Sequence, residues 1–70
     1  MTSQPTRYEI VVRGGRVDAI ESVLEGFEAV PDAGGTTRLV GWITDQAALQ
    51  GVLRRISDLG LELVSVHGES

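Results

Sequence analysis

Apolar and polar residues alternate from Arg7 to Arg13. Tyr8, Ile10 and Val12 fall on one side of an extended chain and Glu9, Val11 and Arg13 on the other, the two-residue period of a strand. Gly14-Gly15 then turns the chain. Beyond it Val17, Ile20, Val23 and Leu24 recur at helical spacing, with Asp18 and Glu21 near the N-terminal end, where carboxylates suit the helix dipole. Gly26 is placed to stop this helix. Residues 27–30 form a short extended piece that Pro31 confines to a sheet edge, because proline has no N–H for the ladder. Ala33-Gly34-Gly35 makes a hairpin into the longest strand, Thr36 to Thr44. There Leu39, Gly41 and Ile43 point one way and Arg38, Val40 and Trp42 the other, and the strand is predicted to be central.

Thr44 or Asp45 caps a second helix whose apolar face is Ala48, Leu49, Val52, Leu53 and Ile56. Arg54 and Arg55 lie near its negative end, and Gly60 terminates it as the C′ residue. Leu61 to Val66 is the last strand, apolar on both faces apart from Glu62 and Ser65. Taken alone, that two-sided character predicts parallel pairing with a neighbour. The element order as a whole defines an α+β fold, a ferredoxin-like βαββαβ two-layer sandwich. Right-handed crossovers then give a four-stranded antiparallel sheet in spatial order 4-1-3-2 with two helices on one face. The predicted core is Ile10, Val12, Ile20, Leu24, Leu39, Ile43, Leu49, Leu53, Ile56 and Leu63. Residues 7–67 make one domain, with tails at 1–6 and 68–70.

Composition narrows the possibilities. A chain of 70 residues buries only about 60% of its unfolded surface, so it depends on a well-made core or on a partner chain. It has no cysteine, which removes disulfides and thiolate metal sites. The polar start, residues 1–6, has no signal-peptide character, and no apolar run approaches the roughly 20 residues that span a bilayer. The expected location is cytoplasmic, with no membrane association. Six arginines and no lysine face ten acids, a net charge of −4. A phosphate backbone would be repelled, so nucleic acid is not an expected partner.

Two resemblances carry further expectations. Residues 36–66 resemble a group of small bacterial proteins that share the pattern D-Q-A-A-L-x-G-L-L-x-R-I-x-D-L-G-L-x-L-x-S-V after a glycine-rich hairpin. Relatives of that pattern often have proline and histidine where this chain has Trp42 and Gln50, so a role for that histidine does not carry over. The chain as a whole resembles an ACT domain, a small module that pairs and binds amino acids or other small effectors. That resemblance implies a ligand-facing turn at Gly14 and Gly15.

Candidate chemistry is sparse. Arg13-Gly14-Gly15-Arg16 sets guanidinium groups and backbone N–H groups before a helix, able to hold a carboxylate or phosphate; it reads equally as a tight turn flanked by solvated charges. Val40 and Trp42, with Val64 and Val66 of the last strand, form an apolar set for the sheet face that helices on one side leave open, suited to a subunit contact or a ligand platform. His67, the single histidine, lies near the C-terminus without companion ligands, and no cofactor is expected. No nucleophilic triad can be assembled. Acylphosphatases and metallochaperones share the topology, but the former's catalytic asparagine and the latter's paired cysteines are absent, since the chain has neither residue type. The acids Glu9, Asp18, Glu21, Glu25 and Glu28 read as solvated faces. The expectation is a non-enzymatic interaction or regulatory module, homodimeric through its sheet; the alternative is an ACT-like domain binding an amino acid or another small anion.

Overall fold

A computed structural model describes residues 4–15 and 17–69. Strand β1 is Thr6–Arg13. A 3-10 turn, Val17–Ala19, runs into the single α-turn α1, Ile20–Val23. Strands β2 (Glu28–Pro31) and β3 (Thr36–Ile43) form a hairpin, followed by helix α2 (Gln46–Asp58) and strand β4 (Glu62–Glu69). The sheet order is β2-β3-β1-β4 with every neighbouring pair antiparallel. The interior position of β3 and the edge position of β2 are as expected. Strand β4 runs antiparallel to β1, as the antiparallel sandwich requires and against the parallel pairing expected from its two-sided apolar character. The α2 crossover makes β4 parallel to β3, but β1 lies between them. Strand β4 also continues past the expected domain end, with Gly68 opposite Tyr8 and Glu69 opposite Arg7, so those two residues belong to the sheet.

Local chemistry fixes the helix ends. Asp45 is extended, and its Oδ1 accepts from the Ala48 N–H at 2.8 Å, which satisfies a donor that has no partner within the helix. At the other end Gly60 adopts φ 75. Its N–H donates to the Ser57 carbonyl at 3.0 Å and the Leu61 N–H donates to the Ile56 carbonyl at 3.2 Å. This is a Schellman motif, completed by the burial of both Ile56 and Leu61 in one apolar cluster. The first helical segment is far shorter: Leu24 already leaves helical geometry at φ −108, ψ 80.

The cluster joins Ile10 and Val12 of β1, Leu39 and Ile43 of β3, Ile20, Leu24, Phe27, Ile56 and Leu61. Both helical segments therefore pack on the face that carries Ile10 and Leu39. Gly41 is a necessary part of this packing, since a Cβ there would lie 2.7 Å from the Phe27 ring. Leu49 and Leu53, predicted as core, are half-buried against the cluster. Leu63, also predicted as core, is 46% exposed. Its register opposite Val12 gives it the helix-side face, but that face is uncovered so close to the sheet's edge. Phe27 and Leu61 were not expected in the core.

These burials rank the helix positions. Ile56→Ala is expected to cost about 2–5 kcal/mol, and Leu53→Ala only about 1 kcal/mol, in proportion to its partial burial. Urea unfolding of the two variants checks this; equal losses would mean that α2 is rotated about its axis.

Candidate functional site

The turn after β1 is a clasp within the chain. Gly14 and Gly15 both adopt left-handed backbone, φ 74 and 63. A Cβ on Gly15 would sit 2.8 Å from the carbonyl group of Gly60 and 2.8 Å from a methyl of Leu61. The turn is thus seated against the α2–β4 corner, whereas Gly14 faces open space. Arg13 is engaged too: its Nε and Nη2 donate to the two carboxylate oxygens of Glu62, each at 3.2 Å. The bidentate bond raises the Arg13 pKa and holds the Glu62 carboxyl below its ordinary range. Of the four residues expected to hold an anion, Arg13 has a carboxylate from its own chain, Gly15 has backbone against it, Gly14 is exposed, and Arg16 lies outside the described residues.

The helix-free face of the sheet combines apolar residues with a thread of charge. Trp42 is 65% exposed, while Val40, Val30 and Val11 are half-buried. Trp42 stands opposite Arg7 in the ladder, and Val40 opposite Glu9 and Glu28. Arg7 donates to Glu69 and reaches Glu9 at 3.4 Å; Arg38 lies 3.9 Å from Glu9 and 3.7 Å from Asp32. The Glu69 hydrogen bond is the main reason the Arg7 pKa is raised. Glu9, expected to be merely solvated, links two arginines on adjacent strands. Arg7 and Glu9 are two apart on one strand, but only the β1–β3 register brings Arg38 to them, so spacing along the chain could not show the full link.

The four apolar residues expected to share this face do not all do so. Val66 stands opposite Ile10, which places it on the helix side. The cause is a register shift: β1 residues Val11 and Val12 are consecutive, yet they face Ser65 and Leu63, leaving Val64 as an extra residue. Val64 is 47% and Val66 38% exposed.

Two open clefts lie on the helix side. One, of about 230 Å³, is lined by Val23, Leu24, Glu25, Phe27, Val52 and Arg55. The other, of about 190 Å³, is lined by Thr6, Tyr8, Ile43, Thr44, Asp45 and Gln46. Both fall below the roughly 300 Å³ at which small-molecule sites begin. Among the described residues, no three of His, Asp and Glu converge as metal ligands, and no helix is long and apolar enough to cross a membrane.

Fold and surface define a small α+β protein whose prominent features are sheet surfaces. Residues 7–67 match the family described as Domain of unknown function (DUF8691), and the chain belongs to that family. No curated protein and no solved structure matches it.

Two variants test the clasp. Gly15→Ala is expected to destabilise the protein by well over the ~1–2 kcal/mol that left-handed backbone costs a residue with a side chain, because it also collides with backbone; Gly14→Ala should show only the backbone term. Thermal unfolding separates them. Arg13→Ala should return the Glu62 titration, followed by carboxyl NMR, upward to its ordinary range. Because the folded-state value is depressed, the bond's stabilisation is present above the unfolded carboxylate pKa and lost as pH falls through the folded one. Arg13→Ala should therefore flatten stability over that acid window.

Proposed function

We propose that this protein is a non-enzymatic interaction or regulatory module of ferredoxin-like architecture that self-associates through its sheet as a homodimer. The element order β1, α1, β2, β3, α2, β4 and the two helical segments feeding one cluster support that architecture. The observation that carries the functional reading is Trp42, a large aromatic 65% exposed on the helix-free face beside Val40. Exposed aromatics of this kind anchor interfaces by burying much area with few rotatable bonds. The charge thread around it supplies the polar surround of such a contact. The cysteine-free composition supports a cytoplasmic setting. The effector-binding alternative has less behind it, since Arg13 and Gly15 already have partners in the chain.

Sedimentation at tens of micromolar is expected to show a dimer. Trp42→Arg is expected to weaken a contact through the open face by at least tenfold, since it removes the aromatic area and adds a charge to be desolvated. A monomeric wild type with freely quenched Trp42 fluorescence would overturn the reading.

A further inference from the structure

The two edges of the sheet are not alike. Strand β2 is four residues long and ends on Pro31, a poor template for another strand. Strand β4 is eight residues long, exposed throughout, and paired on one side only, with β1. It carries Leu63, Val64 and Val66 at 46%, 47% and 38% exposure. Exposed length and apolar content on an edge are the conditions under which strands add to one another.

The register shift makes this edge self-complementary. In a regular strand residues three apart face opposite sides. Here the extra residue Val64 brings Leu63 and Val66 to the same side, opposite Val12 and Ile10, while Glu62 and His67 share the other side, opposite Arg13 and Glu9. A two-fold axis perpendicular to the sheet keeps each residue on its own side, so it can pair only residues that share one. Placed between Val64 and Ser65, the axis sets Leu63 against Val66 of a second copy and Glu62 against His67 of that copy, each twice. Apolar meets apolar, and carboxylate meets imidazole. Moving the axis to Ser65 sets Leu63 against His67 of the other side, and moving it between Ser65 and Val66 sets Glu62 against Glu69, two like charges. Of these three registers, the first alone matches Leu63 with Val66 and Glu62 with His67 on shared sides without opposing like charges.

We propose that two copies of this chain pair antiparallel along β4, in the register Leu63 to Val66 and Glu62 to His67, to give one continuous eight-stranded sheet. The inference rests on the reading that the protein self-associates through its sheet and specifies an edge contact. It leaves Trp42 of β3 free, because β1 separates β3 from β4, so the edge and face contacts are independent.

The absence of native cysteine permits a direct test. Leu63→Cys combined with Val66→Cys, oxidised at tens of micromolar, is expected to give a covalent dimer whose peptide map links residue 63 of one chain to residue 66 of the other; either single variant should cross-link far less. Leu63→Lys combined with Val66→Lys, both at exposed positions, is expected to weaken association at least tenfold with an unchanged circular dichroism spectrum. The 63–66 link should survive Trp42→Arg. A wild-type oligomer that yields no 63–66 link and is indifferent to the lysines would overturn edge pairing while leaving self-association through the open face standing. A wild type that is monomeric at these concentrations would overturn both, and would mean that the bulge keeps the edge from pairing.

Discussion

A helix about 10 Å wide covers roughly two strands spaced about 4.8 Å apart, so a four-stranded sheet needs two full helices to cover one face. Among the described residues there is one. Helix α2 has 13 residues, while the first helical segment has a three-residue 3-10 turn and four α residues. The central strands are served first: Ile10, Val12 and Leu39 are fully buried. The shortfall falls on β4, where Leu63 lies on the covered side of the sheet in register and in water in fact. The small helical layer thus decides where the core ends and which apolar residues are left over.

The uncovered face resolves its exposure differently. Apolar positions there are separated by charges of both signs, and Glu9 bridges Arg7 and Arg38 across two strands. Exposed ion pairs of this kind contribute little stability individually. Their structural effect is to break the face into small apolar patches, of which Trp42 is the most prominent. The Arg13–Glu62 bond does similar work at the far end of β1, fastening β4 to it where the Gly15 turn meets Gly60.

How much of this was legible in the sequence depended on how local each determinant is. The helix cap and the Gly60 stop act within a few residues: the stop was read correctly, and the cap was narrowed to Thr44 or Asp45, of which Asp45 is the one. The alternation of Tyr8, Ile10 and Val12 marked the right face of β1, and the strand order followed from the handedness of crossovers. The last strand defeated this reasoning. With Leu61, Leu63, Val64 and Val66 apolar, its period is ambiguous, and one inserted residue exchanges the faces of everything beyond it. The expected anion turn failed to declare its partner for a related reason: the carboxylate that meets Arg13 belongs to Glu62, on a strand 49 residues away. Local propensity does not report such pairings; register does.

The position of β1 has a consequence in time. The first of the four strands in chain order is an interior strand, and both its neighbours follow it, β4 last of all. Ladder contacts run from Arg7 to Glu69, so β4 must be made before β1 can be paired on both sides. The β2–β3 hairpin and the helical segments can form early from local contacts. Loop closure between distant segments slows folding, and Ile10 and Val12 must wait exposed while it happens. Closure of this sheet therefore waits on the synthesis of β4.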